Sequence, residues 1–277
     1  MSRRELIAGM LAAPLALAQG KNLPVGLQLF TLRNELEKDV PGTLQRVAQI
    51  GYRQVEFYVP FYFTWTAAFA RDVRKSLDDL GLKCISTHNT MEAFQPEGIN
   101  KAIELNQILG SRYVVSARRP QVSGIDGWKG IAETLNKGNE VLRASGLKAA
   151  YHSTVLEWKP VDGQRPIDVL LQNTDKSFGH QLDVGTCLAT GTDAVGWINQ
   201  NPGRILSLHL KDWSPEKEYG VLFSQGTAPW PRILAAAEGK GGAEFLVIEQ
   251  ENSVEPPMEA VRKDLELYRN LRQGGAR

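Results

Sequence analysis

The chain has 277 residues, 42% of them hydrophobic, with 32 basic and 31 acidic side chains. A chain this long buries a large core without disulfides, and its two cysteines, Cys84 and Cys187, form no C-x-x-C pair, which excludes a zinc ribbon. A net charge of +1 leaves no basic surplus for a nucleic acid or an anionic membrane surface, so the expected partner is a small, neutral or weakly charged molecule.

Ser2-Arg3-Arg4 leads into a short apolar run that closes on Ala16-Leu17-Ala18. A charged start, a short apolar centre and an A-x-A-like end predict a secretory signal peptide over residues 1–18. The paired arginines point to the twin-arginine route and a periplasmic destination. The alternative is a short basic helix of the mature domain. No later stretch is long and apolar enough to span a membrane.

The mature domain, 22–277, alternates short β-rich runs with longer stretches of helical spacing. Strand one is expected over Val25–Phe30, and a helix follows from Gly42 to Ile50. Strand two covers Gln54–Tyr58, a helix Ala67–Leu80, and strand three Cys84–His88. A helix over Asn100–Leu109 leads to strand four at Tyr113–Ser116, and a helix over Trp128–Ala144 to strand five at Ala149–His152. Further helices are expected at Ile167–Asn173, Val195–Asn201, Trp230–Ala237 and Met258–Leu271. Between them lie strands Phe178–Asp183, Ile205–Leu210 and Phe245–Glu249. The word Gly-Leu-Lys stands before strands three and five, and a helix ending in glycine before a β-rich run is how an αβ loop is written. Eight such units within roughly 250 residues predict an α/β single domain, a (β/α)8 TIM barrel. A doubly wound open sheet is the runner-up, but no Gly-x-Gly-x-x-Gly follows the first strand.

In such a barrel the chemistry stands at strand C-terminal ends. Three of the four histidines fall at expected ends: His88, His152 and His209. Asp183 closes strand six, Glu249 closes strand eight, and Glu157 follows strand five closely. Carboxylates gathered with imidazoles form a mixed oxygen and nitrogen donor set, suited to one divalent ion such as Mn, Co, Mg, Zn or Fe. Without a cation, like-charge repulsion would oppose the gathering. Plainer roles remain open: Asp183 could cap the next helix, Glu157 could be solvated in a loop, and His209 or His88 could be satisfied interior histidines. His180 reads as structural, and Asp212 and Glu251 as supporting loop groups.

These residues resemble the xylose isomerase-like TIM barrel family, in particular an exported sugar phosphate isomerase/epimerase-like branch. The resemblance rests on Val25-Gly-Leu-Gln-Leu-Phe-Thr-Leu-Arg33, Ile50-Gly-Tyr-Arg-Gln-Val-Glu56, Gln181-Leu-Asp-Val-Gly185, His209-Leu-Lys-Asp212 and Val247-Ile-Glu-Gln-Glu251. It implies one divalent ion bound by Glu157, Asp183, His209 and Glu249. Where the branch shows Tyr-His-Asn-His-x-x-Glu-Phe, this chain has Tyr151-His-Ser-Thr-Val-Leu-Glu-Trp158, with Thr154 in place of the second histidine. The expected function is a sugar isomerase or epimerase that removes a proton beside a carbonyl through a metal-stabilised enediolate. Glu157, Glu249 and His152 are the expected catalytic groups, and His88, Lys211, Trp158 and Gln28 the expected contacts to a small sugar or polyol. Phe30, Phe57, Trp213 and Trp230 are further candidates for stacking. The alternatives are a 3-keto-glycoside lyase on the same scaffold and a degenerate, non-catalytic sugar-binding barrel. A nucleic-acid role is not expected. The substrate, its phosphorylation, the oligomeric state and any pairing of the two cysteines stay open.

Overall fold

A computed structural model describes residues 23–118 and 121–274; the expected signal peptide lies outside them. Eight parallel strands close into a barrel in sequence order. They are β1 (Val25–Gln28), β2 (Gln54–Phe57), β3 (Lys83–Asn89), β4 (Tyr113–Ser116), β5 (Lys148–His152), β6 (Gly179–Asp183), β7 (Ile205–Leu210) and β8 (Phe245–Ile248). The (β/α)8 expectation holds, and the open doubly wound sheet is excluded because β1 pairs with both β2 and β8.

The helices cover the barrel because their apolar residues recur on one stripe. In Val40–Ile50 that stripe is Thr43, Leu44 and Val47, all fully buried, and each of the two aliphatic side chains contributes roughly 2 kcal/mol of burial. Asp39 caps this helix by accepting from the Gly42 amide. The repeated Gly-Leu-Lys word has the expected cause: Gly81 and Gly146 sit at φ 66° and 77°, a left-handed turn that a Cβ would strain.

Several boundaries differ from expectation. β1 stops at Gln28 rather than Phe30, because the Gln28 side chain accepts from the Phe30 amide and Leu29–Leu32 winds into a 3-10 turn. β8 ends at Ile248, one residue short of Glu249. The helix expected from Trp128 begins earlier and spans Gly124–Ala144. The one expected over Trp230–Ala237 runs Trp230–Ala236 and continues as a π turn, Ala237–Gly241. A short helix not foreseen, Val184–Ala189, follows β6 directly. Among the described residues no helix is long and apolar enough to cross a membrane.

Inside the barrel an apolar layer of Tyr113, Val115, Ala150, Leu206, Phe245 and Val247 fills the lower part. Above it, toward the strand C-terminal ends, the inward side chains turn polar: Gln28, Glu56, Ser86, His88, His152, Gln181, Asp183 and His209 are all buried. Two breaks in strand register fall between Val55 and Glu56 and between His180 and Gln181. A break of this kind re-aims the side chain that follows it. Here it places Glu56 and Gln181 in the polar layer.

Candidate active site at the mouth of the barrel

Asp183, His209 and Glu249 each bring one ligand atom within 4.8 Å of the others. β6 and β7 pair Asp183 directly with His209, and β7 and β8 pair Leu210 with Ile248, which sets Glu249 beside them. Asp183 divides its oxygens. Oδ1 accepts from the Thr186 amide at 3.0 Å and caps the helix Val184–Ala189, while Oδ2 lies 2.6 Å from Lys211 Nζ. The capping role left open for Asp183 is therefore real and coexists with membership of the cluster.

His209 is held between two carboxylates, with Nδ1 2.9 Å from Glu249 Oε2 and Nε2 2.7 Å from Glu56 Oε1. Burial disfavours charge on this imidazole, but the flanking carboxylates of Glu249 and Glu56 overcome it and lift it to about 10. Lys211 Nζ lies 3.2 Å from Glu249 and 3.6 Å from Glu251 as well as against Asp183. Burial works against its charge too, and the three carboxylates keep it an ammonium well above the usual lysine range. The same burial would raise Glu249, yet Lys211 and His209 hold its carboxyl well below the ordinary range. Burial itself, with His209 and His88 alongside, keeps His152 neutral, and its Nε2 faces Asp183 at 3.7 Å.

Asp183, Lys211, Glu249, Glu251 and His152 line a cavity of about 300 Å³, with His209 and Glu56 buried behind them. Its lining combines polar groups, His88, His152, Asp183, Lys211, Glu249 and Glu251, with the apolar surfaces of Phe30, Tyr58 and Val59. Aromatic faces combined with hydrogen-bonding groups suit a small polar molecule with an apolar face, and the size lies at the lower end for small-molecule sites. A larger cavity, of about 610 Å³, opens at the opposite end of the barrel among Arg74, Lys83, Arg112 and Glu244. It contains none of the clustered strand-end groups, so the smaller cavity is the candidate site.

The family profile described as xylose isomerase-like TIM barrel matches residues 44–271. The chain belongs to the xylose isomerase-like TIM barrel family. Its fold and sequence are similar to a sugar phosphate isomerase/epimerase from Parabacteroides distasonis, with a TM-score of 0.76, 26% identity, and coverage of 96% of this chain and 98% of that one. An inosose dehydratase from Clostridium perfringens is 33% identical over 91 residues, which is 32% of this chain. That match spans only 30% of the dehydratase. The fold is also that of the IolI protein, solved with a bound zinc atom, at a TM-score of 0.67 and 16% identity over 92% of this chain and 99% of that one.

Within this family barrel, the expected residues do not all meet. Asp183, His209 and Glu249 come together, with His88, His152 and Lys211 beside them. Glu157 does not join them. It is fully buried, with Oε1 accepting from Tyr151 Oη at 3.0 Å and Oε2 accepting from the Thr154 amide at 2.8 Å and hydroxyl at 2.7 Å. Thr154, at the position of the missing second histidine, supplies the donors that draw this carboxylate into the loop. Trp158 is also elsewhere: it is buried against Trp197, ring centroids 4.9 Å apart, and does not line the cavity. Gln28 sits beneath the cavity, donating to Glu56. Among the stacking candidates Phe30 lines the cavity, Phe57 packs on Trp65, and Trp230 is buried with its indole donating to Asp212. His180 is buried against Trp197, as a structural residue would be. Cys84 and Cys187 are both free thiols.

Glu56, quoted above only as the end of the second-strand motif, was not among the expected site residues. It is fully buried on β2 and accepts from four side chains, Gln28, Ser86, Gln181 and His209, with His88 Nε2 3.0 Å from its Oε1. Burial would raise its carboxyl, but His88 and His209 hold it well below the ordinary range. The available signal was a lone glutamate inside the β-rich run Gln54-Val-Glu-Phe57.

Proposed function

We propose that the chain is a sugar isomerase or epimerase that moves a proton on a carbon next to a carbonyl. The observation that carries the reading is the convergence of Asp183, His209 and Glu249 at a small amphipathic cavity, which Asp183 and Glu249 line and behind which His209 is buried. Two carboxylates and one imidazole, with no thiolate, fit a divalent ion of hard or borderline character. Asp183, His209 and Glu249 would hold it, and when bound it would supply Lewis-acid polarisation of the substrate carbonyl.

This chain's own residues would do the rest. Phe30, Tyr58 and the ring of His88 would seat the sugar while Lys211 and Glu251 engage its hydroxyls. His152, neutral with Nε2 open to the cavity, would take the proton from the α-carbon. Glu249, on the opposite flank of His209, would accept or return a proton at the substrate. Lys211 would donate hydrogen bonds to oxygen as negative charge develops there. In this arrangement Glu157 supports the loop after β5 and takes no direct part. Export through the twin-arginine route would let the folded protein load its ion before leaving the cytoplasm.

The test is exchange. Incubated with Mn²⁺ and a panel of ketoses in D2O, the protein should place deuterium on the α-carbon, and Glu249→Gln should abolish this while still folding. Protein that binds a sugar yet exchanges no proton would point instead to a degenerate binding barrel. A second reading, elimination from a 3-keto-glycoside, draws on the partial likeness to an inosose dehydratase. It shares the first proton transfer and differs in losing the β-substituent, so mass analysis of the products separates the two.

A further inference from the structure

The polar layer beneath the cavity has a donor and acceptor logic that starts from Glu56. Its oxygens only accept. Gln28 is fixed first: its Oε1 accepts from the Phe30 amide at 3.1 Å, so its Nε2 must donate, to Glu56 Oε1 at 2.7 Å and to His88 Nδ1 at 3.3 Å. His88 Nδ1 is then the bare nitrogen, and its Nε2–H points at Gln181 Oε1, 2.7 Å away. Gln181 is oriented the same way: its Nε2 donates to Glu56 Oε2 at 2.9 Å, which turns its Oε1 toward both His88 and His152. His152 must therefore donate from Nδ1, at 3.0 Å, and present an unprotonated Nε2 to the cavity. On the other side Glu56 Oε1 takes the Nε2–H of His209 at 2.7 Å, which leaves Nδ1 as the nitrogen facing Glu249 and Asp183. Ser86 completes the set by donating to Oε2.

We propose that Glu56 is a positioning residue that fixes the ring orientation of His88, His152 and His209 and the tautomer of His88 and His152, and so decides which His152 nitrogen faces the cavity and which His209 nitrogen faces Asp183 and Glu249. It touches neither substrate nor ion and acts through the histidines, directly on His88 and His209 and through Gln181 on His152. The inference rests on the proposed function for its use, though not for its geometry. A carboxylate behind a ligating histidine raises the basicity of that ligand and holds its ring, and removal of such a group costs roughly 10–100-fold in metal affinity. In Glu56→Gln an amide N–H₂ would replace one accepting oxygen and oppose the donors of Gln28, His209, Ser86 or Gln181. In Gln181→Met, Glu56 would keep His209 while the link to His152 is cut.

Histidine-selective ¹⁵N NMR on metal-free protein, together with Mn²⁺ titration of wild type and both variants, tests this. Wild-type His152 should show a protonated Nδ1 and a bare Nε2, with His88 the reverse. Glu56→Gln should lose that pattern at His152 and bind Mn²⁺ roughly 10–100-fold more weakly. Gln181→Met should release His152 but keep the wild-type Mn²⁺ affinity. An unmoved His152 in the folded variants, or unchanged Mn²⁺ affinity in folded Glu56→Gln, overturns the inference. Should Glu56→Gln not fold, the His152 tautomer in Gln181→Met decides. Wild-type protein that binds no Mn²⁺ would count against the functional reading alone, and the tautomers would still judge this one.

Discussion

Lys211 is where the charge balance of the site is concentrated. Its ammonium sits among Asp183, Glu249 and Glu251, of which the first two are almost wholly buried. Removing one partner of a buried ion pair leaves uncompensated charge and costs about 3–5 kcal/mol. Lys211→Met should therefore lower the unfolding free energy of metal-free protein, read from urea denaturation, by that order, and added Mn²⁺ should recover part of it by supplying the missing positive charge. An unfolding free energy unmoved by either change would show that the carboxylates are satisfied without a cation. At this scale Asp183, His209 and Glu249 were legible because each is a polar group closing an apolar strand. Glu157 was misplaced because its position depends on a hydroxyl three residues earlier, and motif spacing does not reveal where that hydroxyl points. Glu56 was hidden because a break in register, a property of paired strands, turns it inward.

Among the elements, the loop between β7 and the helix Trp230–Ala236 is organised by two aspartates. Asp212 accepts from the amides of Trp213, Gly226 and Ala228 and from the Trp230 indole. Four such bonds at about 1 kcal/mol each make Asp212→Ala a loss of roughly 3 kcal/mol or more, and proteolysis within 213–229 should accelerate. Asp264, on the helix Pro257–Arg272, accepts from the Phe223 amide at 2.8 Å and is fully buried. Burial raises its carboxyl from 3.8 to about 7, the Phe223 amide opposing and Asp212 assisting. A carboxyl raised on folding holds its proton longer in the native state. Its contribution is thus fully present below pH about 4 and is lost as pH rises from there through about 7. Urea unfolding of wild type should show stability falling across that window by a few kcal/mol relative to Asp264→Asn. Parallel profiles for the two proteins would contradict the assignment. The strands and most helices were legible at this scale from periodicity and glycine stops. The short helix Val184–Ala189 was not, because only its cap, Asp183, announces it.

At the scale of the whole molecule, the barrel separates stability from chemistry. An apolar layer and outer helices hold the cylinder, and the polar layer above places the site at one end. The (β/α)8 architecture was legible in the sequence because eight repeats of one local pattern leave few alternatives. The site was legible only in part, because its floor is built from side chains on β1, β2, β3, β5, β6 and β7 that meet across the barrel. An ion that binds the folded chain alone should stabilise it, by about 2.7 kcal/mol at a concentration of 100 times its dissociation constant. The most direct test is Mn²⁺ binding to metal-stripped protein by calorimetry, run beside Asp183→Asn, His209→Gln and Glu249→Gln. One ion per wild-type chain, with binding lost in each folded variant, is the expected result. No binding by wild type, or binding that survives all three substitutions, would contradict the site described.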